Sequence, residues 1–365
     1  MWRNRSIVLA AVALCAASGD VLATDYTELA GGSGGSAFNL DCGANMSLVG
    51  IQGKAGSMVD SVQGVCAQIN ADGSRLGGNK LTGKAGGAGG DSYYLQCLSG
   101  STIKGIKGHV GGYVNELTAH CSATTPEFTG SVGRDNGTWF NRSCPANMDA
   151  RLIRGRAGSW IDAIGLGCKT AQRLKVDTVS IPSSVRVGQT APLTVTMSMV
   201  PVESVSVHLG SSNVRLTPMP GSVTVGTSTT KASANVAASE TGCARVTASY
   251  KGSSAWADLV VHGPASPGLV VTGPTTIRRH GPPASFTVSI PSAEPQYTSV
   301  QLSVRGPQTL LGPAVYLPSE LVNFAPGKVS ATFQVLPRTL GCALIHASIS
   351  KVGVPSVIHA VMVIE

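Results

Sequence analysis

The sequence predicts an all-β chain, and three observations carry that prediction. Glycine is abundant, at 45 of 365 residues, and the chain is rich in Val, Ser and Thr. Short alternating apolar runs recur throughout, whereas long stretches with a 3.6-residue apolar period are missing. One segment of about 50 residues repeats three times in the first half of the chain. Many short strands joined by tight turns produce this texture.

Before the first repeat comes a targeting segment. Arg3 and Arg5 form a basic head, Ile7 to Ala17 is apolar, and Val21-Leu22-Ala23 offers a cleavage pattern. This assigns residues 1–23 as a signal peptide and starts the mature chain near Thr24. Leu14 ahead of Cys15 is too bulky for a lipid-anchor signal. No segment reaches the roughly 18 to 20 apolar residues of a membrane helix, so the expected address is secreted or periplasmic, with no membrane span. Charged residues make up 13% of the chain and the net charge is +8. They are scattered, which argues against a nucleic-acid stripe and leaves a basic surface suited to anionic polysaccharide or an envelope.

The repeats are set by cysteine. Cys42 and Cys66, Cys97 and Cys121, and Cys144 and Cys168 each stand 24 residues apart. Ile51, Ile106 and Ile153 fall at one shared position, followed by Gly53, Gly108 and Gly155 and then Gly56, Gly111 and Gly158. An apolar residue with an acid or amide comes next: Val59-Asp60, Val114-Asn115 and Ile161-Asp162. Upstream, Gly31 to Gly35 matches Gly86 to Gly90. The third copy is aligned here on Gly130 and Gly133, with an inserted residue before Trp139-Phe140. Equal spacing favours one disulfide inside each repeat, each closing a loop worth about 3 kcal/mol in the chain-entropy picture. No CxxC or clustered His accompanies these cysteines to suggest a metal site.

A single small sheet cannot bury its apolar face, but three of them around a pseudo-threefold axis share a core. The strings GGSGGSAF (Gly31 to Phe38) and IRGRAGSWIDAIG (Ile153 to Gly165) resemble the jacalin-related lectins, griffithsin-like members above all. The paired cysteines are closer to the vitelline-membrane outer-layer proteins. The resemblance covers residues 30–172 and implies a threefold β-prism of three four-stranded sheets.

It also implies sugar sites. In that family a G-x-x-x-D loop and a facing Gly-Gly loop hold a monosaccharide. A carboxylate accepts two sugar hydroxyls, glycine lets backbone N–H groups come close, and an aromatic packs on the C–H face. Carried over by position, the third repeat offers Gly158, Ser159, Trp160 and Asp162, partnered by Gly32 of the Gly31 to Gly35 loop. The first repeat offers Gly56, Ser57, Met58 and Asp60, partnered by Gly87 of the Gly86 to Gly90 loop. The second, with Gly111, Gly112, Tyr113 and Asn115, is expected to be weak or lost. The alternative for these aspartates is local turn capping, in a structural envelope, coat or protein-binding component without a sugar site.

After Cys168 glycine thins out. Residues 175–262 and 269–365 look like two copies of one immunoglobulin-like sandwich, joined by a linker at Gly263 to Gly268, with a loose similarity to bacterial Ig-like modules. Val187-Gly188 with Leu193 to Met197 mirrors His280-Gly281 with Phe286 to Ile290; Gly242-Cys243-Ala244 mirrors Gly341-Cys342-Ala343. Each sandwich holds one cysteine, and Cys243 and Cys342 are expected as buried, unpaired thiols. No catalytic constellation is seen. The seven histidines are dispersed, and the G-x-S-x-G match at Gly31 to Gly35 lacks a strand-to-helix context. The sequons at Asn45, Asn136 and Asn141 matter only in a eukaryotic host. The reading is a secreted glycan-binding protein that needs no cofactor, is not an enzyme, and carries a β-prism head on Ig-like spacers.

Overall fold

The computed structural model describes residues 24–122, 127–264, 268–292, 298–305, 314–349 and 355–365. The signal-peptide assignment and residues 265–267 of the linker lie outside them. Every regular element described is a strand, and among the described residues no helix is long and apolar enough to cross a membrane. The chain divides into two units. One takes in residues 1–66 and 79–171, the other 67–78 and 172–365.

The first unit is a prism of three antiparallel sheets. One orders Asp25–Tyr26, Ile161–Thr170, Met148–Ala157 and Ser36–Asp41, with Ala30–Gly31 beside Ile161–Thr170. The second orders Arg75–Gly86, Val59–Ile69, Ser47–Ala55 and Asp91–Gln96, and the third Glu127–Gly133, Glu116–Cys121, Ile103–Val110 and Thr138–Ser143. No sheet belongs to one repeat. The glycine-rich arm of each repeat pairs with the hairpin of the repeat before it, and the arm of the first pairs with the hairpin of the last. Thus Phe38 faces Gly155, Tyr93 faces Gly53 and Phe140 faces Gly108 across the three edge pairings. These glycines are required. A Cβ on Gly53, Gly108 or Gly155 would collide with the carbonyl of Ser61, Glu116 or Ala163 on the opposite strand. Tyr93 anchors its arm by donating to the Ser61 carbonyl (3.0 Å), and burial pushes its phenol pKa up.

The disulfides follow from this exchange of arms. Bridges Cys42–Cys66, Cys97–Cys121 and Cys144–Cys168 form within the repeats, with Cα–Cα distances of 5.5, 5.7 and 5.6 Å. In each the first cysteine ends an arm in one sheet, its amide donating to Arg151, Val49 or Lys104 of that sheet. The second lies in the hairpin of the next sheet. Three bridges therefore run around the prism and tie every sheet to its neighbour. At the centre one continuous core includes Leu48, Ile51, Val62, Ile103, Ile106, Leu117, Ile153, Ile164 and Leu166. Val59, Val114 and Ile161 close one end of the axis, each fully buried. Val59 N donates to Val114 O (2.9 Å), and Val114 N to Ile161 O (2.8 Å).

The register expected for the third arm is corrected. Gly133 and Gly137, not Gly130 and Gly133, match Gly31 and Gly35 and Gly86 and Gly90, and nothing is inserted. All six have positive φ, between 61° and 124°, and Phe140 then falls in step with Phe38 and Tyr93. Backbone handedness fixes the alignment because left-handed positions in a turn select glycine.

The second unit holds two lobes of the same strand order, each a smaller and a larger sheet facing across a core. In the first lobe Val176–Ser180, Thr190–Met197 and Lys231–Ala237 face a sheet of Ser184–Arg186, Ser253–His262, Gly242–Tyr250, Val205–Ser211 and Ser222–Val225. The second repeats this with Val270–Thr272, Ala284–Ser289 and Ser330–Pro337 facing Thr276–Arg278, Val357–Ile364, Gly341–Ile349, Thr298–Arg305 and Leu321–Phe324, and adds Val315–Tyr316. Parallel pairing of the short second strand with the last strand recurs in both lobes.

The expected free thiols are also corrected, because Cys243 and Cys342 form a disulfide between the lobes (Cα–Cα 5.6 Å). Strand alternation explains it. Ala244, Val246 and Ala248 fill the first lobe's core and Ala343, Ile345 and Ala347 the second's. The cysteines sit one residue out of phase and point from the outer faces of the two sheets. Val260 and Ala360, fully buried but outside both cores, are covered where these faces meet. His262 and His359 stack beside them, ring centroids 4.4 Å apart. His262 Nδ1 accepts the Ala360 amide (3.3 Å), and His359 Nδ1 lies 3.2 Å from the Val271 carbonyl.

Two outcomes are expected. Non-reducing peptide mapping should recover all four bridges, and replacing Cys97 and Cys121 together with alanine should lower prism stability by about 3 kcal/mol in chemical unfolding. The second concerns pH. Burial, then His359 and Arg186, hold the His262 pKa down at about 4, and burial also lowers that of His359. Both rings are neutral when folded, so their contribution is intact above the unfolded value near 6.5 and is lost as pH falls through it toward 4. Thermal unfolding of the second unit should drop across that window and flatten in His262→Gln; an equally steep fall in the variant would refute this origin.

Candidate functional site

Around the closed end of the axis, period-2 alternation decides which residues meet. Val59, Val114 and Ile161 point into the core, so the next residues, Asp60, Asn115 and Asp162, point away toward the glycine loops. Three equivalent backbone bonds join each to its loop. Gly32 N donates to Asp162 O, Gly87 N to Asp60 O and Arg134 N to Asn115 O, all at 2.8 Å. The loop before each is a matching turn: Gly56 N to Met58 O (2.9 Å), Gly111 N to Tyr113 O (2.9 Å) and Gly158 N to Trp160 O (3.0 Å).

The loop pairing expected from the sequence is the one observed, with Gly31 to Gly35 against Asp162 and Gly86 to Gly90 against Asp60. The roles of Gly32 and Gly87 differ from expectation. Their amides are spent on the loop-closing bonds, so they anchor the loops. The carboxylates instead face the later glycines. A Cβ on Gly89 or Gly90 would stand 2.6 Å from an Asp60 oxygen, and Gly34 and Gly35 leave no room for one beside Asp162. Glycine is thus what lets a carboxylate stand against backbone.

The three positions have diverged. At Asp162, Ser159 is exposed and Trp160 is 37% exposed. The Tyr113 ring meets Trp160 edge-on at 5.2 Å, adding an aromatic from the second repeat. Asp162 is only 6% exposed, and its Oδ2 is buried without a hydrogen-bond partner. Gly35 and Gly158 lie beside that oxygen. A buried unpaired carboxylate oxygen costs about 1–3 kcal/mol. At Asp60 the frame is the same, with Ser57 exposed and half-buried Met58 replacing the tryptophan. At Asn115 the amide donates to the Asn136 carbonyl (2.7 Å), and the facing loop reads Gly133-Arg134-Asp135-Asn136-Gly137. That side chain is already used.

Sequence reasoning missed Tyr113 as a wall of the neighbouring site, having placed it with its own repeat. The contact of Gly32 with the Gly112 backbone, which brings the loops together, needs the folded threefold. Among the described residues no group of three or more His, Cys, Asp or Glu is placed to hold a metal ion.

A glycine-walled carboxylate thus recurs at two of three positions around the prism axis, and at Asp162 it is flanked by aromatics. Residues 27–167 match the jacalin-like lectin domain family. No curated protein matches the chain. Among solved structures the chain is similar to Malaysian banana lectin, at 26% identity over 41% of this chain and 100% of that one (TM-score 0.33). It is also similar to a mannose-binding jacalin-related lectin from Ananas comosus, at 25% identity over 40% and 99% (TM-score 0.33). Calystegia sepium agglutinin is 20% identical over 41% and 99% (TM-score 0.33).

The unpaired oxygen has a consequence for stability. Replacing Asp162 by Asn removes a buried charge with an unsatisfied acceptor, and sites kept for function often stabilise when neutralised. Asp162→Asn should unfold no earlier than the parent in calorimetry. A loss of more than about 2 kcal/mol would mean that the carboxylate is a structural brace.

Proposed function

We propose that the chain is an exported glycan-binding protein whose prism binds sugar through the Asp162 loop, and less strongly through the Asp60 loop. The two lobes serve as Ig-like spacers, and the chain performs no catalysis. The Asp162 carboxylate carries this reading, since its Oδ2 is left without a protein donor while Ser159 and Trp160 stand exposed beside it. Trp160 and Tyr113 supply apolar faces for the sugar's C–H groups. Four disulfides suit an oxidising compartment and so support export.

One observation favours a purely structural role. Asp60 and Asp162 are 7% and 6% exposed, as braces of a turn would be. The two readings part on affinity. A glycan array on the mature chain identifies the best sugar, and each single variant is then titrated with it after its thermal unfolding is matched to the parent. Losing a charged acceptor costs about 1.5–3 kcal/mol, or ten- to a hundredfold in affinity. Asp162→Ala should weaken binding most, Asp60→Ala next and Asn115→Ala least. Parent-like binding by both aspartate variants would leave the structural role standing.

A further inference from the structure

One position differs among the repeats in a way that neither the carboxylates nor the aromatics explain. Two residues before the turn glycine stand Arg156 in the third repeat, Lys54 in the first and His109 in the second. Arg156 donates from Nε to the Gly34 carbonyl and from Nη2 to the Gly35 carbonyl, both at 2.7 Å. Lys54 reaches the equivalent loop with one longer bond, Nζ to the Gly90 carbonyl at 3.4 Å. His109 turns instead to Glu116 on the adjacent strand, Nδ1 to Oε2 at 2.6 Å. Arg156 and Lys54 thus grip the loops facing Asp162 and Asp60 with falling strength, whereas the His109 side chain is engaged by Glu116.

We propose that this side chain is a positioning residue that sets the rank of the two carboxylate sites by pre-organising the glycine loop opposite each. The inference rests on reading the Asp162 and Asp60 loops as sugar sites. Glycine has the largest backbone freedom to lose, so a loose loop spends binding energy on its own ordering. A planar guanidinium bonded to two successive carbonyls fixes two peptide planes. In a trans peptide the N–H points opposite its C=O, so the Gly35 and Ser36 amides are held facing away from Arg156. An ammonium is a point charge on a flexible stem and, with one long contact, holds a single carbonyl less firmly. The carboxylate gives a site its chemistry; the cation decides whether the loop is ready.

The test uses the full mature chain and calorimetric titration with the methyl glycosides of mannose, galactose, glucose and N-acetylglucosamine. Arg156→Lys should weaken the binding seen in the parent by about tenfold, the cost of freeing roughly one glycine, with unfolding temperature unchanged. The decisive variant is a gain. In an Asp162→Ala background, where the Asp60 site remains, Lys54→Arg should raise affinity by a similar factor. A brace that merely supports the fold would not do this. Binding by the parent with no difference between Asp162→Ala and Asp162→Ala/Lys54→Arg overturns the proposal and leaves the sugar reading intact. Failure of the parent to bind any of the four glycosides, or any glycan on the array, overturns the sugar reading and the proposal with it.

Discussion

Val59, Val114 and Ile161 meet where the three sheets converge, and their backbones bond to one another there, Val59 to Val114 and Val114 to Ile161. That contact constrains nearly everything else in the first unit. It closes the sheets around one core, in which all three are fully buried. It also fixes the side chains beside it. With one residue committed to the core, the pleat turns its successor outward, and in two of three copies that successor is an aspartate facing glycine. Core and candidate site are therefore one residue apart on the same strand, and neither can shift register alone.

Threefold repetition gives three equal frames; divergence is confined to what fills them. The loop-closing bonds and turn bonds are alike in all three copies. What differs is acid or amide, aromatic or Met, and the cation behind the loop. A tandem repeat can lose one site without losing the fold, because the axial aliphatic and the cysteines carry the architecture. Asn115 illustrates this. Its amide bonds to Asn136 and keeps the turn closed while the Tyr113 ring packs edge-on against Trp160.

Much of this was legible in the sequence. The 24-residue cysteine spacing and the recurring Ile, Gly and Val-Asp positions marked the repeat and the three bridges, and the family resemblance implied which loops meet. What was not legible depended on pairing partners far along the chain. That the arm of each repeat pairs with the hairpin of the one before is a matter of topology, and no local spacing encodes it. The third arm was misaligned on Gly130, although Gly31, Gly86 and Gly133 each stand 11 residues before their cysteine and positive φ at Gly133 and Gly137 agrees. The bridge at Cys243 was recoverable. Ala244, Val246 and Ala248 share one parity and Cys243 has the other, so the thiol could never have pointed into its own core. Arg156 lay in plain view within the repeat, but its partners are the carbonyls of Gly34 and Gly35, more than a hundred residues earlier.

The bridge between the lobes changes what a cut in the backbone does. Cys243 and Cys342 enclose 99 residues of sequence separation, a closed covalent ring that contains the connection from one lobe to the next. A protease that severs the chain anywhere inside that ring opens it without releasing a fragment, and the halves part only on reduction. Tension applied to the two lobes likewise bypasses the connecting peptide and passes through sulfur. The Gly263 to Gly268 segment can thus be nicked, lengthened or replaced without setting the second lobe free, and the join survives as long as its surroundings stay oxidising.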